Sequence, residues 1–232
     1  MSEASRSDPA QAPLAILGGT FDPIHNGHLL LAEDVASGLH LPMIRLIPAG
    51  DPPHRQPPGA GALDRAEMVR LAIADHPRLE LDTREVDRAG RSYTFDTLLS
   101  LRNDWPRRNL ALILGADAFV GLPTWHRWQE LLDLAHFIVV ARPGIVLQDA
   151  LSGPMRALWN ERYRDDAAVL RTQRAGAIVT QRITPHPIAA RAIREQLARG
   201  RAGARAVSGL LPPAVLAYIR RHRIYGYSPD AS

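Results

Sequence analysis

A stretch near the N-terminus, Gly18–His28, contains the residue types that bind phosphate. It follows a short apolar run and precedes a helical pattern, where backbone N–H groups and the helix dipole favour anions. Its two leading glycines allow the backbone to approach a phosphate closely, and Thr20 adds a hydroxyl donor. His25 and His28 are three residues apart and share one face of a helix start. Two such imidazoles can donate to phosphoryl oxygens and stabilise charge that develops during phosphoryl transfer.

Each part of this stretch also has a simpler interpretation. A glycine pair after a strand is typical of a turn, and a single histidine is usually structural. A His-x-x-His pair can also bind a metal ion, but the chain has no cysteine and we see no clustered carboxylate to complete a ligand set. We therefore predict no protein-held metal. The combination of eleven such positions at one strand–helix junction favours phosphate binding.

A second stretch, Gly115–Trp128, follows the apolar run Leu110–Leu114. In a doubly wound sheet of order 3-2-1-4-5, strands one and four are neighbours, and ligands bind where the order reverses. The stretch should then flank the same pocket as the Gly18–Thr20 turn, where Asp117 is placed to accept ribose hydroxyls. The alternative for Asp117 is a helix N-cap. Of the two tryptophans that follow, we assign Trp125 to ligand stacking and Trp128 to the core.

All 28 basic residues of the 232-residue chain are arginines, and cysteine is absent. The composition therefore excludes a P-loop lysine, a Schiff-base lysine, a thiolate nucleophile, disulfides, and cysteine-ligated zinc or iron–sulfur clusters. Any side-chain cation that binds phosphate must be arginine or histidine.

The net charge of +4 is unevenly distributed. Residues 1–150 carry 14 arginines against 19 acidic residues, whereas residues 151–232 carry 14 against 5. The basic C-terminal third indicates an anionic partner, either the phosphates of a small molecule or nucleic acid. A solvated arginine-rich surface explains the same asymmetry.

Apolar periodicity predicts alternating strands and helices, and hence a parallel sheet covered by helices. The fold class we expect is α/β, a Rossmann-like doubly wound sheet with C-terminal helices. Residues 1–12 are predicted to be a disordered tail and residues 13–232 a single domain; 145–176 are the least informative. The predicted strands are 14–17, 43–47, 79–82, 110–114, 137–141 and 177–181, and the predicted helices are 28–38, 64–74 (capped by Asp64), 94–102, 128–134, 150–160, 188–199 (ended by Gly200) and 212–222.

Five motifs together resemble bacterial nicotinate-nucleotide adenylyltransferases, a branch of the nucleotidyltransferases that carry G-T-F-D-P-x-H-x-G-H. The motifs extend the likeness from about residue 14 to residue 226: GGTFDPIHNGH at 18–28, PPHR at 52–55, RSYT at 91–94, GADAF…LPTWHRW at 115–128, and ARPG at 141–144.

The resemblance implies transfer of AMP from ATP to nicotinate mononucleotide, which yields deamido-NAD and pyrophosphate, with Mg²⁺ carried by ATP. It implies catalytic roles for Thr20, His25, His28 and Arg194. It further implies that ATP is bound by Gly18, Gly19, Thr20, His25, His28, Gly115, Asp117, Arg142 and Arg194. Nicotinate mononucleotide would be bound by His54, Arg55, Thr94, Trp125 and the backbone near His126.

One segment departs from this family. Its members usually carry Ile-Ser-x-Thr-x-Ile-Arg before a late helix, whereas this chain has IAARAIR at 188–194. Arg194 is kept, but Ala189 and Arg191 replace the two hydroxyl residues. A serine hydroxyl contact to ATP is therefore lost and the helix N-cap is poorer. Arg191 either supplies a phosphate contact or points into solvent.

Rival interpretations stay open on sequence alone. One is a sister adenylyltransferase that acts on nicotinamide mononucleotide or phosphopantetheine; another is a non-catalytic nucleotide- or RNA-binding protein. Aromatic content of 6% is low for a single-strand binding platform, so we predict no nucleic-acid partner. Without a signal peptide or a long apolar run, we predict a cytoplasmic protein with no membrane partner. Oligomeric state is left open.

Overall fold

Six short apolar segments form the strands of a parallel sheet in a computed structural model that describes residues 12–51, 57–141 and 147–229. The strands are β1 (Leu14–Gly19), β2 (Ile44–Pro48), β3 (Leu79–Leu81), β4 (Leu110–Gly115), β5 (His136–Ala141) and β6 (Ile178–Arg182). Their order across the sheet is β3-β2-β1-β4-β5-β6. The predicted order 3-2-1-4-5 is thus confirmed, and β6 extends it at one edge.

The register of the central strands accounts for their apolar composition. Leu14 pairs with Leu110, and Leu112 pairs with Phe137, which in turn pairs with Ile178. Each of these side chains is at least 95% buried. Because parallel strands are covered by helices on both faces, they need continuous apolar runs.

Helices follow most strands, as the alternating pattern predicts. The described residues form α1 (Asn26–Gly38), α2 (Ala62–Ala72), α3 (Thr94–Asp104), α4 (Ala116–Val120), α5 (Leu131–Leu134), α6 (Leu147–Ala150), α7 (Gly153–Arg162), α8 (Val169–Thr172), α9 (Ala190–Leu197), α10 (Gly200–Ala206) and α11 (Pro213–His222). In α1 the predicted apolar stripe is confirmed, since Leu29, Ala32, Val35 and Ala36 are all buried.

Several local predictions are wrong. Asp64 does not cap α2, because Gly61 is the N-cap and the Asp64 carboxylate accepts a hydrogen bond from the Tyr218 hydroxyl at 2.9 Å. Gly200 does not simply end a helix; it begins α10, which the sequence did not predict. Trp128 begins a 3-10 turn and is half-buried, so it is not a core residue.

Two other predictions concern poorly patterned regions. The segment 145–176, where only one helix was suggested, contains α6, α7 and α8 within its described part. Of the predicted N-terminal tail, residues 1–11 lie outside the described residues, and Ala12 is buried.

The described chain divides into two compact units, each built from separated segments. Of the described residues, those within 12–17, 34–44 and 93–183 form the first unit. Those within 18–33, 45–92 and 184–229 form the second unit. The Gly18–His28 stretch belongs to the second unit, and the Gly115–Trp128 stretch to the first. No described helix has the length and apolar character needed to cross a membrane.

Candidate functional site

The two predicted histidines lie together at the start of α1. Their rings are stacked, with centroids 3.7 Å apart and an interplanar angle of 20°. His25 is buried, and its ring fits because residue 27 is glycine: a Cβ there would lie 3.1 Å from His25 Nδ1. Phe21 packs its ring edge against His28 at 5.1 Å between centroids. The His-x-x-His spacing therefore produces one rigid pair.

Burial keeps both imidazoles neutral at pH 7. It lowers the pKa of His25 to about 4, and burial together with the charge of its neighbour lowers the pKa of His28 to about 3. His28 Nδ1 accepts the backbone N–H of His25 at 3.3 Å, so the ring proton resides on Nε2. His25 Nδ1 is buried and has no hydrogen-bond partner among the described residues. The pair thus offers neutral N–H donors to a ligand.

The start of α1 offers fewer free amides than the sequence suggests. The N–H of Asn26 donates to the carbonyl of Leu210 at 2.9 Å, and the N–H of His28 donates to that of His25 at 2.9 Å. Binding of an anion at this point therefore depends more on the imidazoles than on these two amides.

Arg194 is brought to the same loop from α9. Its Nη1 donates to the backbone carbonyl of Asp22 at 2.7 Å and lies 3.5 Å from the Asp22 carboxylate. Its side chain is 34% exposed. Asp22 lies in the same loop as Thr20. The backbone carbonyl of Thr20 accepts a hydrogen bond from Arg65 at 2.7 Å. Thr20, His25, His28 and Arg194 all belong to the second compact unit.

Ala189 and Arg191, which replace the two hydroxyl residues of the family, lie at the start of α9, where no side chain caps the helix. Ala189 is the N-cap residue of α9, with φ −123° and ψ 125°, and no side chain caps the helix. Arg191 points into solvent: its side chain is 85% exposed and pairs with Glu195 at 2.9 Å, one helical turn on. Of the two interpretations of Arg191, the structure supports the solvent-facing one.

Three of the residues predicted to bind nicotinate mononucleotide, Thr94, Trp125 and His126, lie in the first compact unit. Thr94 begins α3, and Trp125 follows a 3-10 turn at Leu122–Thr124, where its N–H donates to the Leu122 carbonyl at 2.9 Å. Both side chains are half-buried. His126 packs on Tyr93 with ring centroids 4.5 Å apart. These contacts hold a set of aromatic and polar side chains at one place.

An arginine completes the aromatic set. The Arg127 guanidinium lies 3.6 Å from the centroid of the Phe95 ring, and the same side chain is paired with Glu130. Arg127 itself has a left-handed backbone (φ 53°), which turns the chain between Trp125 and the next 3-10 turn.

The remaining predicted residues differ in what the structure says of them. Gly18 and Gly115 are exposed, at the end of β1 and of β4 respectively. Asp117 is exposed in the first turn of α4 and does not cap it, since Gly115 is the N-cap. His54, Arg55 and Arg142 lie outside the described residues. That the Gly18–Thr20 turn and Asp117 flank one pocket stays a prediction.

Sequence reasoning missed three residues that organise the loop around the histidines. Asp22 is buried within the motif, and its carboxylate accepts a hydrogen bond from the Tyr225 hydroxyl at 2.8 Å. Arg65 is the third. One signal was available for it: in α2 it shares the helical spacing of the buried Met68, Val69 and Ala72.

Comparison with known proteins identifies the family. Residues 16–195 match the model of the cytidylyltransferase-like family. A probable nicotinate-nucleotide adenylyltransferase from Halorhodospira halophila is 46% identical over 214 residues, which cover 92% of this chain and 95% of that protein. One of the same name from Dechloromonas aromatica is 46% identical over 215 residues, 92% of this chain and 97% of its own.

A solved structure shares the fold at low sequence identity. The Plasmodium falciparum nicotinic acid mononucleotide adenylyltransferase complexed with NaAD aligns with a TM-score of 0.69 and 14% identity, over 94% of this chain and all of that one. This likeness supports the α/β assignment.

Proposed function

The chain belongs to the cytidylyltransferase-like family, within it to the nicotinate-nucleotide adenylyltransferases, and we propose that it transfers AMP from ATP to nicotinate mononucleotide. A phosphate oxygen of the mononucleotide attacks the α-phosphorus of ATP. The bond between that phosphorus and the α–β bridging oxygen breaks, and pyrophosphate leaves with the electron pair. The products are deamido-NAD and pyrophosphate.

The observation that carries this proposal is the stacked histidine pair at the start of α1. Both rings are neutral, and His28 holds its proton on Nε2 because Nδ1 accepts the backbone N–H of His25. Such donors can stabilise charge that grows on phosphoryl oxygens in the transition state, without a proton leaving the protein.

The reaction needs no general base. A phosphate monoester has a second pKa of about 6, so the attacking group is already largely a dianion at pH 7. The barrier arises from bringing two polyanions into line and from charge that builds on pyrophosphate. Positioning and electrostatic stabilisation therefore dominate. Arg194 provides the positive charge, since its guanidinium is held at one nitrogen by Asp22 and its side chain is partly exposed.

We propose that Thr94 and Trp125 select the acceptor. A half-buried indole on a fixed turn suits a flat pyridine ring better than the flexible arm of phosphopantetheine. The neighbouring tilted contact between the Tyr93 and His126 rings helps to hold this segment in place.

Mg²⁺ is a separate proposal. The described residues contain no group of three His, Asp or Glu side chains that could hold a metal ion. We propose that the ion arrives with ATP and is held by nucleotide oxygens and water, the usual way in which Mg²⁺ serves such reactions. We further propose a cytoplasmic location, where ATP is available, and no nucleic-acid partner.

One assay tests the proposed function. Pyrophosphate release from ATP and Mg²⁺ is measured with nicotinate mononucleotide, nicotinamide mononucleotide and phosphopantetheine side by side. We expect the highest kcat/KM with nicotinate mononucleotide. Equal rates with all three acceptors would refute the proposed specificity, and no release with any of them would refute the activity.

A further inference from the structure

A buried arginine on α2 bonds to three separate loops of the second compact unit. Arg65 is only 1% exposed, the largest side chain so deeply buried among the described residues. Its Nη1 donates to the Thr20 carbonyl at 2.7 Å, its Nη2 to that of Gly50 at 2.9 Å and its Nε to that of Ala60 at 3.2 Å. Each nitrogen of the planar guanidinium thus has one backbone acceptor.

The three acceptors have a particular relation in the chain. Thr20 belongs to the phosphate-binding turn. We call the other two acceptors the flanks: Gly50 lies just after β2, and Ala60 precedes Gly61, the N-cap of α2. Arg65 therefore ties the turn that the proposed function assigns to ATP to both flanks.

A buried carboxylate holds one of these flanks from the other side. Asp22 accepts the N–H of Gly59 at 2.8 Å through Oδ2 and the N–H of Ala60 at 3.0 Å through Oδ1. Oδ1 also accepts from the Tyr225 hydroxyl, and Arg194 binds the backbone carbonyl of Asp22. The Asp22 charge also offsets part of the burial that lowers the pKa of Arg65.

The other flank is held by a serine hydroxyl. Ser92 Oγ accepts the N–H of Gly50 at 3.1 Å and that of Asp51 at 3.3 Å. Gly50 packs so tightly that a Cβ there would lie 2.1 Å from the Glu85 carbonyl oxygen. The two flanks are therefore held at both their donors and their acceptors, with little room to shift.

We propose that Arg65 is a positioning residue for adenylyl transfer: it fixes the Thr20 turn, to which the proposed function assigns ATP, relative to Gly50 and Ala60. This inference rests on the proposed function and deepens it. Burying a guanidinium costs free energy that an apolar residue on α2 would avoid. Its three hydrogen bonds go to backbone carbonyls in loops rather than to an acidic side chain. This indicates that the role of Arg65 is to fix the geometry of these loops.

Arg65→Lys tests this role, because lysine keeps the charge but loses the planar fork that reaches three carbonyls. Arg102→Lys is the matched control. Arg102 is also buried and also donates to backbone carbonyls, among them Arg108 at 2.6 Å and Arg174 at 3.2 Å, but it belongs to the first compact unit. Both substitutions should lower the melting temperature.

Kinetics measured well below both melting temperatures separate the two variants. Since a misplacement of about 1 Å can cost about 10²-fold in rate, we expect Arg65→Lys to lose about 10–100-fold in kcat/KM for ATP, with the KM for ATP raised. Arg102→Lys should keep kcat and both KM values within about twofold, as expected of a change that acts on stability alone. A folded Arg65→Lys variant with wild-type kcat and KM would overturn the inference.

Two milder variants decide the matter if Arg65→Lys does not fold. Ser92→Ala removes the hydrogen bonds to the N–H groups of Gly50 and Asp51. Tyr225→Phe removes the hydrogen bond to Asp22, whose carboxylate holds Ala60. Both leave the backbone intact. We expect each to lower kcat/KM by about 3–10-fold, the scale of one hydrogen bond. Wild-type kinetics in both would overturn the inference. Wild-type protein that releases no pyrophosphate would refute the proposed function and the inference with it, whereas active wild-type with unaffected variants refutes the inference alone.

Discussion

The N-cap residue of helix α9, Ala189, has a suitable backbone conformation but a side chain that cannot cap the helix. Ala189 has the extended backbone of an N-cap, and its carbonyl accepts the N–H of Ile193 at 3.1 Å. No side chain caps the helix, and Ala189 is exposed. Ala189→Ser places a hydroxyl where it can accept the N–H of Arg191 or Ala192, without steric cost.

The expected gain in the free energy of unfolding follows from these observations. Capping residues in place of alanine contribute about 0.5–2 kcal/mol, typically about 1. Because the site is exposed, serine needs no cavity and loses little solvation, so we take about 1 kcal/mol. For a chain of this length that corresponds to a rise of about 2–4 °C in melting temperature.

Thermal and urea unfolding of Ala189→Ser measure this gain. Ala192→Ser is the matched control: it introduces the same hydroxyl at an exposed position three residues on, inside the helix. We expect it to be neutral or to cost up to about 0.5 kcal/mol. Equal stability of the two variants, or a loss in Ala189→Ser, would refute the capping argument.

The same variant also tests the family contact to ATP. A serine hydroxyl can accept the helix N–H and donate its own proton to a phosphate oxygen at once. We therefore expect the KM for ATP to fall by about 3–10-fold, the scale of one hydrogen bond. A more stable protein with an unchanged KM for ATP would uphold the cap and contradict the phosphate contact.

Three further predictions concern the histidines and Arg194. His25→Ala or His28→Ala should lower kcat by about 10²–10³-fold with a cooperative melting transition retained; wild-type turnover in steady-state kinetics would refute their role. Arg194→Lys should not behave as a conservative change: kcat/KM for ATP should fall by at least about tenfold, since lysine lacks the planar fork. In the folded protein both histidines have a pKa below the unfolded value of about 6.5. As pH falls below that value, the unfolded chain therefore binds protons that the folded chain does not bind. Urea unfolding from pH 7 to pH 4.5 should therefore show stability falling by up to about 1.4 kcal/mol per pH unit for each histidine, and a slope unchanged in His28→Gln would contradict this.

Much of the fold could be predicted because local patterns and burial agree. The run Leu110–Leu114 is continuously apolar and becomes a strand buried on both faces. The stripe in α1 recurs at helical spacing and is buried along its length. The parallel sheet followed from the alternation of elements, since parallel strands need helical crossovers, and the order expected of a doubly wound sheet, 3-2-1-4-5, is the one observed.

The errors arise where tertiary contacts override a local preference. Aspartate favours helix N-caps, but the Asp64 carboxylate interacts with Tyr218, which is 154 residues away in the chain. Helix α10 contains two glycines and has poor intrinsic propensity, yet it forms and packs against α9.

The candidate site, like the fold, could be predicted from the sequence only in part. The spacing of His25 and His28 predicted a shared face, and the rings stack. The sequence could not predict their neutral state, because that depends on how deeply the fold buries them. Arg65 lies 15 residues from Gly50 and 45 from Thr20, so its three bonds exist only once the loops have converged.

The most direct test of adenylyl transfer is the stoichiometry of the two products. Wild-type protein is given ATP, Mg²⁺ and nicotinate mononucleotide; deamido-NAD is quantified by mass spectrometry and pyrophosphate by a coupled assay, with His28→Ala in parallel. We expect one deamido-NAD for each pyrophosphate, and both to fall by the same factor in the variant. Pyrophosphate without deamido-NAD, or neither product, would contradict the central claim.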